Sequence, residues 1–151
     1  MTNGVGGARW FQSLQGVNPG AIKLFCFPHA GGSAQIFRGW QQYLSPGINV
    51  CLAHLPGKGP RIGERPFTEI KMLVAALADA IIPHIQGTFA LWGHSMGALV
   101  CFELARELQR RNQRGPLVLV VSGRGAPPIR DEDPPAYNLP DEELLARLRG
   151  L

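Results

Sequence analysis

One serine stands in a pattern that does chemistry. In FALWGHSMGALV, Phe89 to Val100, Ser95 occupies the centre of Gly-x-Ser-x-Gly. Such a serine serves nucleophilic attack on an acyl carbon, but its hydroxyl needs a base to take the proton. Four histidines offer imidazoles: His29, His54, His84 and His94. His94 adjoins Ser95, and neighbouring side chains in a sharp turn point apart, so it reads as a packing or hydrogen-bonding residue. His29 lies at the mouth of a Gly-Gly loop and is a possible neighbour of the substrate. His54 ends an apolar run before Pro56-Gly57 and reads as a turn anchor. His84 follows Pro83 and reads as surface. No histidine follows Ser95. Carboxylates do: Asp131, Glu132, Asp133, Asp141, Glu142 and Glu143.

The elements around Ser95 are those a nucleophile elbow needs: an apolar strand, a tight turn, then a helix. The turn strains the serine backbone. Gly93 and Gly97 let strand and helix approach without a Cβ between them. At the helix N-terminus the free N–H groups favour developing negative charge. The N–H of Met96 is one candidate oxyanion donor. The second should come from a loop after an earlier strand. FCFPHAGGS, Phe25 to Ser33, is such a loop, and the N–H of Ala30 is its candidate. Cys26 sits in an apolar strand with nothing to lower its pKa, so it is no rival nucleophile.

Apolar runs at 21–27, 49–55, 88–92 and 117–122 predict strands, the last of them buried on both faces. The spacing of Ile70, Leu73, Val74, Leu77 and Ile81 predicts a helix, with Thr68 as N-cap and an end at Pro83. A second helix runs from Gly97 to about Arg111. AQIFRGWQQYL, from Ala34, reads as a shorter one, and DEELLARLRGL, from Asp141, as another. Strands alternating with helices imply an α/β fold: a mostly parallel sheet with helices on both faces. Residues 1–20 are Gly-rich and read as a loose lead-in to a single domain spanning 1–151.

Composition narrows the function classes. No run approaches the ~18 apolar residues of a membrane span, and the N-terminus lacks the apolar core of a signal peptide. A cytoplasmic protein is expected. Cys26, Cys51 and Cys101 are odd in number and far apart, suiting buried thiols and not a zinc site or disulfides. The net charge of +4 owes much to Arg106, Arg110, Arg111 and Arg114 at one helix end. Cations there suit the helix dipole, and no aromatic residues interleave with them, which argues against nucleic acid.

LFCFPHAGGSAQIFRGW, HLPGKGPRIGERPF and LWGHSMGALVCFELAREL, taken together, resemble the type II (external, editing) thioesterases of polyketide and nonribosomal peptide synthesis. The likeness runs from about Trp10 onward. PGKGPR resembles that family's Pro-Gly-Arg-x-x-Arg loop, with Lys58 in place of the first arginine. The resemblance implies the α/β-hydrolase fold and hydrolysis of acyl groups from the phosphopantetheine arm of an acyl or peptidyl carrier protein. It implies Ser95 as nucleophile, Ala30 and Met96 as oxyanion amides, and a lid beginning within 127–151. No metal or cofactor is implied, since the phosphopantetheine belongs to the partner, and a monomer is expected of the full-length enzyme.

In this fold the triad runs Ser, then Asp or Glu, then His. These residues carry no later His, and the family's acid follows a later strand. The chain is therefore expected to be an N-terminal fragment, impaired in turnover. Two other readings stand beside it. One is another α/β-hydrolase, an esterase or lipase. The other is a catalytically dead remnant that still binds a carrier protein.

Overall fold

The computed structural model describes residues 10–16, 18, 20–125 and 139–149, with the side chain of Leu148 excepted. The four apolar runs form parallel strands: β2 (Ile22–Phe27), β3 (Ile48–Ala53), β4 (Phe89–His94) and β5 (Val118–Ser122). A fifth strand, β1 (Phe11–Ser13), pairs antiparallel with β3, giving the order β1-β3-β2-β4-β5. β1 falls inside the stretch 1–20 expected to be a loose lead-in, so that expectation is corrected for Phe11–Ser13, while residues 1–9, 17 and 19 lie outside the described residues. Phe11 is buried and meets Phe25 edge-on at 5.0 Å, and the Trp10 carbonyl accepts the His54 N–H at 2.7 Å.

Two α-helices, α1 (Ile70–Ile81) and α2 (Met96–Arg110), lie against one face of the sheet. Leu77 and Ile81 of α1 and Val100 and Leu104 of α2 are fully buried with Phe25, Phe27 and Leu91. Each such side chain contributes roughly 1.5–3 kcal/mol by leaving water. α1 starts later than expected: Glu69, extended at φ −121°, takes the N-cap position, and no side chain caps it. Thr68 is therefore not the cap.

The other face packs Cys26, Val50 and Leu52 against Ala34 and Phe37, with Trp40 and Trp92 alongside. AQIFRGWQQYL is not an α-helix but two 3-10 turns, Ala34–Phe37 and Trp40–Tyr43. Three residues per turn put Phe37 and Trp40 on one side, where their rings meet at 5.0 Å and both reach Trp92. Helical segments thus cover both faces, α-helices on one and short turns on the other.

β5 departs from its expectation as a strand buried on both faces. Among the described residues it is hydrogen-bonded to β4 alone, and Val118 is 49 % exposed and Val121 43 %. A third helix, α3 (Asp141–Arg149), opens on Asp141, Glu142 and Glu143 and closes on Arg147 and Arg149, matching the helix dipole at both ends. Of the lid expected over 127–151, residues 127–138 lie outside the described residues, and Asp131, Glu132 and Asp133 with them. No helix among the described residues is long and apolar enough to cross a membrane.

Candidate active site

Ser95 joins β4 to α2 with φ 52° and ψ −111°, a conformation an L-residue enters only when its surroundings force it. The forcing contacts are backbone. A Cβ on Gly93 would fall 2.2 Å from the Gly97 carbonyl oxygen, and one on Gly97 would fall 2.2 Å from the Phe27 carbonyl oxygen. β4, α2 and the end of β2 therefore meet with no room for a side chain. The Ser95 N–H donates to the Ser122 carbonyl at 2.8 Å, tying the elbow to the end of β5. Met96 opens α2, so its N–H has no acceptor within the helix.

The loop after β2 lies against this elbow. Gly31, at φ 79°, turns the chain, and the Gly32 N–H donates to the His29 carbonyl at 3.2 Å. The His29 ring fills the space where a Gly32 side chain would stand, 2.7 Å from an ideal Cβ. Ala30 is exposed between them. The His29 and His94 rings sit edge-to-face at 6.1 Å, so the loop and the elbow share one edge of the sheet.

A third segment closes the same edge. A Cβ on Gly59 would come 3.2 Å from Ser33 Cβ. Arg61 donates twice to the Glu64 carboxylate, at 3.0 and 2.6 Å, and to the His54 carbonyl at 2.9 Å. Its guanidinium lies 4.1 Å over the Trp10 ring. Lys58 is half-buried in this loop.

The histidines divide. His94 Nδ1 is 3.1 Å from Ser122 Oγ, and the ring stacks on Trp92. Gly123, at φ 65°, makes way for that ring: a Cβ there would meet it at 2.3 Å. His54 is buried with Nε2 3.1 Å from Gln12 Oε1. Burial, then the charges of Arg61 and Arg38, push its pKa below the ordinary value. His84 is not a surface residue: its ring is half-buried, edge-on to Phe11 at 5.7 Å. Ser122 and Gly123 escape a reading of the sequence, because their role appears only once β5 lies beside β4.

The three cysteines are free and buried. Burial, then the neighbouring Cys51, pushes the Cys26 thiol up to about 12. Burial raises Cys51 to about 11, against the lowering charge of Lys23. Burial also raises Cys101 well above the ordinary range. None supplies a thiolate at neutral pH. Among the described residues no group of three His, Cys, Asp or Glu side chains is placed to hold a metal ion.

Residues 22–151 match the family model of the thioesterase domain. The chain belongs to the thioesterase family. It stands among the type II enzymes of nonribosomal-peptide and polyketide pathways, with their α/β-hydrolase architecture. It is 36% identical over 143 residues to the thioesterase PikA5 of Streptomyces venezuelae, covering 94% of this chain and 50% of that protein. It is 44% identical over 146 residues to the linear gramicidin dehydrogenase LgrE of Brevibacillus parabrevis, covering 95% and 55%. The solved thioesterase RedJ of the prodiginine pathway of Streptomyces coelicolor superposes with a TM-score of 0.79 at 39% identity, over 91% of this chain and 53% of that one. This thioesterase chain thus spans about half the length of the relatives it matches. Pro28-His29-Ala30-Gly31-Gly32-Ser33 follows β2 here, a different pattern from the Gly-x-Gly-x-x-Gly fingerprint of nucleotide-dependent dehydrogenases.

Proposed function

We propose that Ser95 is the nucleophile of a thioester hydrolysis, acting on acyl groups carried by the phosphopantetheine arm of an acyl or peptidyl carrier protein. The observation that carries this is the strained Ser95 at the head of α2, wedged between Gly93 and Gly97. Its Oγ attacks the thioester carbon, and the Met96 and Ala30 N–H groups receive the oxyanion. The C–S bond breaks, the thiol leaves with the proton, and a Ser95 ester remains. Water hydrolyses that ester and restores the serine. Thiolates leave readily, so the oxyanion donors and the proton acceptor carry the burden. An editing role, clearing stalled acyl groups, fits an enzyme of the type II class.

The His94 ring meets Ser122, Trp92 and Gly123, and no hydrogen bond joins it to Ser95 among the described residues. No histidine follows Ser95 within these 151 residues. Residues 1–151 alone are therefore expected to turn over slowly, sustained by the oxyanion site and by binding. The decisive assay compares hydrolysis of an acyl-carrier thioester with that of the matching oxygen ester, with and without Ser95→Ala. Faster cleavage of the thioester, lost in the variant, supports the reading. Preference for the oxygen ester would instead mark a general esterase. Carrier binding with no serine-dependent turnover would mark a binding module.

A further inference from the structure

A cavity lies far from the elbow. It holds about 430 Å³ and opens over the C-terminal end of β1 and the N-terminal ends of β2 and β3, beside the chain that leads from α1 into β4. Small-molecule sites span about 300–1,000 Å³, so it is ligand-sized. Lys23 pairs in register with Phe89, and the six steps from Phe89 to Ser95 rise about 20 Å. The two sites are at opposite ends of the sheet. The cavity also lies on the β1 side, away from the exposed strand β5.

Its lining has one sign of charge. Lys23 is the cation, and no Asp or Glu lines the cavity among the described residues. Lys23 Nζ donates to the His84 carbonyl at 2.7 Å, which holds it in place and leaves two of its three protons. No carboxylate pairs with it among the described residues. Asn49 is only 5 % exposed, and its Oδ1 accepts the Ser13 hydroxyl at 2.8 Å. The Ser13 hydroxyl also reaches the Gln15 carbonyl at 2.7 Å, and this chain of bonds holds the Asn49 amide, with its Nδ2 donors, in the cavity wall. Phe11 and Phe25 supply an apolar floor beside these donors. The Lys23 charge is felt at Cys51, which also lines the cavity.

We propose that this cavity binds a small organic carboxylate, its head on Lys23 Nζ and Asn49 Nδ2 and its apolar body on Phe11 and Phe25. A cation and an amide donor over an aromatic floor select an amphipathic monoanion against an amine or a neutral amide. Thioester hydrolysis releases a carboxylate, so on the reading above the enzyme's own product falls in this class. The binding itself does not rest on that reading and needs no turnover.

Titration of the 15N-labelled chain with hexanoate, hexanamide and hexylamine, followed by amide NMR, tests it. Hexanoate should shift the amides of Lys23, Asn49 and Thr88 to saturation, and the other two probes should not at equal concentration. Lys23→Met should weaken hexanoate at least tenfold, and Lys23→Arg should retain it. Absence of saturable shifts, shifts centred on Ser95 and Met96, or equal response to hexylamine overturns the proposal in the unmodified chain, whatever the variants do. Undiminished binding by a folded Lys23→Met variant does so too.

Discussion

The elbow and the strand beside it are built on opposite terms. At Gly93 and Gly97 an added methyl group would collide with main-chain atoms at 2.2 Å. One strand away, Val118 and Val121 of β5 stand about half in solvent, with strand hydrogen bonds on one side only among the described residues. Yet the closed part leans on the open part, because the Ser95 N–H and the His94 ring both reach Ser122 at the end of β5. The contrast teaches that the strained turn at Ser95 needs rigidity only at its few contact points. Among the described residues the strand that delivers one of them is paired along one side alone.

The hardest blow to this contrast is Gly97→Ala. Main chain cannot step aside, so the cost should exceed about 4 kcal/mol and lower Tm by more than about 8 °C, read by thermal unfolding. A normal Tm would show that the junction gives way. Ser95→Ala should spare the fold and abolish covalent labelling by a fluorophosphonate probe. Persistent labelling at another residue would move the nucleophile elsewhere. Ser122→Ala removes the hydroxyl opposite His94 and keeps the backbone bond to Ser95. It should cost about 1 kcal/mol, or about 2–4 °C in Tm.

At the open end of the scale, Val118→Lys should change Tm by less than about 2 °C, since exposed sites stay within about 0.5 kcal/mol. It should also reduce self-association at high concentration, measured by sedimentation, because a lysine blunts a bare strand edge. A large loss of stability would mean that β5 is better covered than its exposure implies. The smallest effect is that of pH on His54. Its folded pKa lies below the unfolded value, so the unfolded chain takes up the proton first. Its contribution is complete above the unfolded value of ~6.5 and is lost as pH falls through the folded one. Tm measured between pH 7.5 and 5 should fall less in His54→Gln than in the parent chain.

Much of this was legible in the order of residues. β2, β3 and β4 and the helices around Leu77 and Leu104 follow from apolar runs and helical spacing, and the elbow from two glycines around a serine. The misreadings have physical causes. β1 is only three residues long, and its reason to exist, a seat for Phe11 against Phe25 beside β3, is supplied from elsewhere in the chain. AQIFRGWQQYL has helical composition, but Gly39 separates two tighter turns whose three-residue spacing brings Phe37 and Trp40 together. The run Leu117–Val121 looked doubly buried because composition reports how greasy a strand is and not how many neighbours it has. Ser122 was invisible because its partner His94 lies 28 residues away.

The hydrogen bond from Ser95 to Ser122 also sets an order of events during synthesis. The serine leaves the ribosome 27 residues ahead of the carbonyl that holds it. Until β5 has emerged and aligned with β4, nothing on that side keeps the serine in its unfavourable backbone state, and the turn can relax. On this geometry the nascent chain can hold Ser95 relaxed until the fourth parallel strand docks.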